Sequence, residues 1–238
     1  MDVPNRDELE ALLAGAISKN LTGELRKLME LLGDPPSLDN VPSSFWENGG
    51  KALRGAIVPI LQGTYTEQAK VLVDQLTIGV DWALVNQRAI AWVSQYSFEL
   101  VRGITTTTQR GLQTAITAYY RDSMTIGALR GMIAPMFGPV RAEMIATTEI
   151  TRASVEGELG LVQEVERANT SIKMIARWST NNDEKVCPIC RPLNARKAAG
   201  YDGGRPYWIH PETKKRYGPP PTHPRDRCWV NWEMTVIP

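Results

Sequence analysis

Leucines set the rhythm of the first part of the chain. Leu9, Leu12, Leu13, Ala16, Ile17, Leu21, Leu25, Leu28 and Leu31 recur at spacings of three and four, one apolar stripe on a helix predicted over 7–32. Asp7 reads as its N-cap, with Glu10 at the capping-box spacing. Gly33-Asp34-Pro35-Pro36 stops it. Such a stripe packs into the chain's own core, and its place ahead of a proline-rich linker (34–42) equally suits an arm docking on another chain, a further copy of this one included. A second helix is predicted over 45–62, weakened at Gly49-Gly50 and broken near Pro59.

A third helix runs from Thr66 to Gln95 or beyond, bent near Gly79 and ended by Gly103. Trp82, Val85, Ala89, Trp92, Val93, Tyr96 and Leu100 share its apolar side, the two tryptophans as core anchors. Thr105-Thr106-Thr107-Thr108 reads as capping for a helix over 109–120. Thr125 caps another through Met136, and Pro139 opens the last, over 140–168. On that last helix Thr148, Glu149 and Arg152 lie near one another. The Glu149–Arg152 pair is either an exposed ion pair of little worth or a buried polar link to the segment that follows.

After Asn169 the period changes. Ile172, Met174, Ala176 and Trp178 alternate with Lys173, Ile175, Arg177 and Ser179, the pattern of a strand. Cys228 to Val236 predicts another. Glycine turns at Gly200 and Gly203-Gly204 and a proline-dense loop lie between them. The predicted class is α+β, a mainly helical N-terminal and central part followed by a small β-rich C-terminal domain. Its segments are an N-terminal helical arm with a proline-rich linker (1–42), a helical body (43–169) and a small β/loop domain (170–238).

That last segment has too few aliphatic side chains to build much core alone, and metal is the usual remedy. All three cysteines fall in it. Cys187-Pro188-Ile189-Cys190 carries the two-residue spacer of half a tetrahedral site, because a tight turn points both sulfurs at one centre. His223 and Cys228 are the pair that would complete it, with Asp226 and His210 as alternative donors. The expected cofactor is a structural zinc ion, since three thiolates and one imidazole make a closed set. The same cysteines also read as three buried reduced thiols or as a redox pair. An odd count without a secretory signal argues against a disulfide framework.

Bulk composition narrows the classes. With 42% hydrophobic and 22% charged residues the chain is ordinary for a soluble protein, no run is long enough to span a membrane, and Met1-Asp2-Val3-Pro4 lacks signal-peptide form. The expectation is synthesis and folding in a reducing cytoplasm, with no membrane partner. A net charge of +1 gives no overall nucleic-acid signature. Between Lys185 and Arg227, however, ten basic residues face three acidic ones, a local balance of +7. Arg196, Lys197, Lys214, Lys215, Arg216, Arg225 and Arg227, interleaved with Tyr207, Trp208 and Tyr217, are candidate DNA contacts. The other reading is a solvated surface whose charge offsets the thiolates.

Several motifs then fall in a particular order. They are Ile145-Ala146-Thr147-Thr148-Glu149 with Ala153 and Gly157, and Trp178-Ser179-Thr180-Asn181-Asn182-Asp183. They continue as Cys187-Pro188-Ile189-Cys190-Arg191-Pro192-Leu193 and Pro220-Pro221-Thr222-His223-Pro224-Arg225-Asp226-Arg227-Cys228. This run resembles the minor head proteins of tailed phages related to the phage Mu F protein, and the resemblance covers roughly residues 85 to 235. Thr147 stands where that family often has Arg, Ala195 where a Gly usually follows the Leu-Asn pair, and Asp226 where the first of two closing cysteines is common. The last departure removes a thiolate, so the fourth ligand falls to His223 or to Asp226.

The resemblance implies a structural, non-enzymatic virion component in the capsid interior or at the portal vertex. Its partners would be the portal protein or the major capsid protein, with packaged DNA beside it, in head assembly, DNA packaging or genome delivery. The rival class is a metal-dependent nuclease or hydrolase using His223, His210, Asp226 or Asp183 about the ion. No His–Glu pairing or nucleophile–base set is visible, so no catalytic residue is assigned. A zinc-knuckle DNA-binding regulator is a third class, which the near-neutral overall charge disfavours.

Overall fold

A computed structural model describes residues 2–76, 78–181 and 186–236. The class is α+β, as the pattern predicts: a helical N-terminal and central part, then a small region of antiparallel strands. The helices are α1 (Arg6–Leu32), α2 (Ser43–Leu76), α3 (Trp82–Arg121), α4 (Ile126–Ile133) and α5 (Pro139–Ala168). The strands are β1 (Ile172–Ser179), β2 (Gly200–Asp202), β3 (Arg205–Ile209), β4 (Arg216–Tyr217) and β5 (Trp229–Val236). Among the described residues no helix is long and apolar enough to cross a membrane.

The helix ends differ from expectation in instructive ways. α1 starts one residue before Asp7, with Leu9 N–H donating to the Asn5 carbonyl, so Asp7 is a first-turn acid and not the cap. Pro59 does not break α2, which runs straight through it. The ring lies on an exposed position, and the helix forgoes one bond, the N–H that would reach the Gly55 carbonyl. Gly79 lies between helices instead of bending one. α2 ends at Leu76, and Asp81 caps α3 by accepting from the N–H groups of Ala83 and Leu84. Neither Gly103 nor the threonine run interrupts α3. Thr108 returns its hydroxyl to the Ile104 carbonyl one turn back, at 2.8 Å, and so caps nothing. Thr125 does cap, accepting from Ala128 N–H ahead of α4.

The chain divides into two compact units that do not follow the three consecutive segments of the sequence reading. One comprises Glu10–Ile60 and Trp92–Ala146. Its core takes Leu13, Ile17, Leu21 and Leu28 of α1, so the middle of the leucine stripe is buried within this chain, whereas Leu12 is 59% exposed. Leu53, Ile57, Leu112, Leu129 and Phe137 are buried in the same unit. Arg141 fixes α5 against α3 there, donating to Thr108 Oγ1 and to the carbonyls of Ile104 and Met136; burial pulls its pKa below the usual value.

The other unit comprises Met1–Leu9, Leu61–Ala91 and Thr147–Pro238. β1 and β5 pair antiparallel along their whole length, from Ile172 opposite Val236 to Ser179 opposite Trp229. β2, β3 and β4 form a second antiparallel sheet, with a turn at Gly203-Gly204 whose positive φ angles favour glycine. Trp178 and Trp208 meet edge-to-face with centroids 5.2 Å apart, among Val155, Leu159, Val162 and Val230. The β-region therefore completes its core with side chains of α2, α3 and α5. Gly157 and Gly160 let α5 approach Tyr65, because a Cβ at either would collide with the Tyr65 carbonyl or hydroxyl. Burial raises the Tyr65 hydroxyl pKa to about 12.

Glu158 lies at the centre of this unit with only 1% of its surface exposed. It accepts from Gln68 Nε2 at 2.7 Å and from Trp232 Nε1 at 3.1 Å, which ties β5 to two helices. Burial raises its carboxyl pKa to about 7.

Two measurements check this packing. Gly157→Ala forces a methyl against the Tyr65 backbone and is expected to lower stability by about 2–4 kcal/mol in urea unfolding. Glu158 binds its proton more tightly folded than unfolded, so its favourable contribution is full below about pH 4.5 and is lost as pH rises through 7. Glu158→Gln should therefore lose less stability between pH 5 and 8 than the parent, by up to about 3 kcal/mol.

Candidate metal centre

The centre is built from two loops between the inner ends of β1 and β5. In the first, Cys190 N–H donates to Cys187 Sγ at 3.3 Å and Arg191 N–H donates to the Cys187 carbonyl at 3.0 Å. This tight turn points both sulfurs the same way, the local reason for the two-residue spacer. The turn continues into a short 3-10 helix at Arg191–Leu193. The chain then runs along β1 by backbone bonds from Ala195 N–H to the Trp178 carbonyl and from Trp178 N–H to the Arg196 carbonyl. Ala195 has φ +61, a left-handed conformation that glycine adopts more easily than a residue with a Cβ.

Asp226 organises the second loop. Its Oδ2 accepts from both the N–H (2.8 Å) and the hydroxyl (3.1 Å) of Thr222, and its Oδ1 accepts from Cys228 N–H at 2.9 Å. Arg225, also left-handed at φ +61, donates its N–H to Thr148 Oγ1 on α5 at 3.0 Å. The loop that carries His223 and Cys228 is thus fixed to α5 by Thr148. Neighbouring Glu149 and Arg152 form a 3.2 Å ion pair within α5, its carboxylate buried and its guanidinium partly exposed.

The loops bring the expected donors together. Cys187 Sγ and Cys190 Sγ lie 3.1 and 3.3 Å from His223 Nε2. Cys190, Asp226 and Cys228 form an overlapping trio, so five donors from two loops lie close enough to hold a metal ion. His223 Nδ1–H donates to the Pro224 carbonyl at 2.9 Å, which leaves the Nε2 lone pair directed at the sulfurs. A tetrahedral ion held about 2.3 Å from sulfur and about 2.0 Å from nitrogen sets S···N edges of about 3.5 Å. These two separations are a few tenths shorter, so a small outward relaxation lets Cys187, Cys190 and His223 fit such an ion.

Asp226 Oδ1 also comes within 3.9 Å of Cys190 Sγ. As a ligand it would compete with the three protein donors it already serves, so its main effect is to shape the loop. The thiols do not share one acidity. A hydrogen bond from Cys228 holds Cys190 down at about 7, against burial, while the same bond and burial hold Cys228 far above its usual range. Burial raises Cys187. For His223, burial pulls the pKa down, and the Pro224 carbonyl and the Cys190 sulfur outweigh it, for a net rise.

His210, the other histidine, does not join the cluster. It is buried, and its Nδ1 accepts from the N–H groups of Glu212 and Thr213, closing the turn before β4. Asp183, Asn182 and Lys185 lie outside the described residues.

The candidate DNA contacts are only partly available. Arg196, Lys197, Lys214, Lys215, Arg216 and Arg225 are exposed, and Arg227 is half-buried and paired with Asp7. Arg216 pairs with Asp202 at 2.8 Å and lies 3.8 Å over the Tyr207 ring. Trp208 offers no stacking face. It is buried and donates its Nε1–H to the Arg196 carbonyl. Alternating strand positions put Trp208 inward and Tyr207 outward, an assignment the proline- and glycine-rich surroundings hide in the sequence. Thr148 and Thr222, which position the second loop, carry no metal-site signal of their own.

No protein-family model, curated protein or solved structure matches this chain.

Metal content of the purified protein tests the centre. The parent should hold a stoichiometric transition-metal ion and Cys187→Ser almost none. Asp226→Asn, which loosens the loop and leaves the sulfur and imidazole donors in place, should weaken affinity by roughly 10–100-fold. Parent-level retention by Cys187→Ser would remove the metal reading.

Proposed function

We propose that the chain is a minor head protein of a tailed phage, a structural component that docks on the portal protein or the inner face of the major capsid protein. There it assists head assembly, DNA packaging or genome delivery, and it works by binding, with no catalytic step of its own. The observation that supports this most is a coincidence of order and place. The motifs that resemble phage Mu F-like minor head proteins carry Cys187, Cys190, His223 and Cys228, and these four widely spaced residues gather in one cluster. Thr148, within the helical motif of the same run, holds the loop that bears two of them.

In this reading the ion is zinc, because three sulfurs and one imidazole form a soft, closed donor set with no position for substrate. Zinc would join the two loops and so fix the ends of a region rich in turns. The exposed cations Arg196, Lys197, Lys214, Lys215 and Arg225 would lie against packaged DNA. Contacts of that kind read backbone charge and not sequence.

A metal-dependent nuclease is the second reading, favoured by one observation, the Asp226 carboxylate beside Cys190. Two assays separate the readings. The protein should co-sediment with portal-containing heads of the phage that encodes it; recovery wholly in the supernatant counts against the structural role. Metal-dependent cleavage of plasmid DNA, abolished by His223→Ala, would establish the nuclease instead.

A further inference from the structure

Away from the metal centre, in the unit of Glu10–Ile60 and Trp92–Ala146, an open groove of about 800 Å³ lies between the first half of α2 and the middle of α3. Trp46, Val58, Phe98 and Val101 make it largely apolar. Gly50 and Gly55 deepen it. A Cβ on Gly50 would sit 3.2 Å from Val101, and a Cβ on Gly55 would project into open space. Phe98 is 62% exposed, and the Arg54 guanidinium lies 3.7 Å above its ring, held there by Ser97 Oγ and the Ser94 carbonyl. A phenyl ring kept in water at the edge of an apolar groove marks an interaction surface.

Two features select the occupant. The first is length. The lining runs from Trp46 to Pro59 on α2 and from Phe98 to Gln109 on α3, about 16–20 Å at 1.5 Å per residue, which matches three turns of helix. The second is charge. Lys51, Arg54 and Arg102 line the groove against a single acid, Glu47. Lys51 and Arg102 are exposed and make no ion pair among the described residues.

We propose that this groove binds an amphipathic α-helix of about three turns from a partner protein. Its apolar face packs on Trp46, Phe98 and Val101, and Asp or Glu on its flanks pairs with Lys51 and Arg102. The groove is a helix-in-groove receptor, in which apolar anchors at spacings of three and four supply affinity and rim charges supply orientation. This inference does not depend on the function proposed above, because it uses no residue of the metal centre.

The test uses the full chain and a fluorescent fourteen-residue helical peptide with leucines on one face and glutamates on both flanks. A lysine-flanked twin, dodecanoate as competitor and sedimentation velocity of the chain alone complete it. The glutamate peptide is expected to bind, and the double variant Lys51→Glu/Arg102→Glu to weaken it roughly tenfold while favouring the lysine twin. Gly55→Leu, which fills the groove from an exposed position, should abolish binding of both. Equal binding of the two peptides, no binding, or indifference to charge reversal would overturn the proposal. So would groove-dependent binding of dodecanoate in place of the peptide, or a dimer of the chain that Gly55→Leu disrupts.

Discussion

Ser179 and Trp229 are far apart in sequence and opposite one another in one antiparallel ladder. This pairing of β1 with β5 is the constraint on which the C-terminal structure depends. It closes the intervening chain into a loop whose two ends must start and finish at the same place. Cys228 immediately precedes β5, and the Cys187 turn follows β1, so the ladder carries one group of donors to the other. The backbone bonds from Trp178 to Arg196 and from Ala195 to Trp178 extend the same edge and fix the exit of the first loop. An ion at the centre would lock donors that the ladder has already brought together.

The ladder in turn is held from beneath. Trp178, Val230 and Trp232 face α5 and the adjoining parts of α2 and α3, and the small-residue pair Gly157 and Gly160 allows the close approach to Tyr65. Glu158 then links β5 to the helices through two hydrogen bonds in a site closed to water. A buried carboxyl satisfied by neutral donors keeps its proton to near-neutral pH, so it specifies the packing without placing a bare charge in the core. A segment short of aliphatic residues thus gains its core from helices that precede it in the sequence, without relying on any ion.

Charge is arranged with similar economy. The surplus of basic residues around the two loops is reduced where it meets Asp7 and Asp202, and one of its aromatic companions is withdrawn into the core. What stays exposed is a smaller set of cations on loops and short strands. The α2–α3 groove pairs an apolar floor with cationic sides in the other unit, where its proposed use is recognition of protein.

Periodicity and spacing made the class legible, because a leucine stripe at three and four and an alternation at two each report which side of an element faces the core. The cysteine spacer and the His223–Cys228 segment were legible as metal donors for a local reason, since a tight turn sets two sulfurs whatever surrounds it. Sequence alone misjudged the interruptions. Pro59 and Gly103 weaken an isolated helix by a few kcal/mol at most, and burial of Ile57, Leu61 and Ile104 outweighs that. It also left open the roles of Asp226, His210 and Trp208, because what a carboxylate, an imidazole or an indole does depends on which groups the fold presents to it. The tertiary structure decided those roles by direction and distance: Asp226 turned to backbone N–H groups, His210 closed a turn, and Trp208 went inward against Trp178.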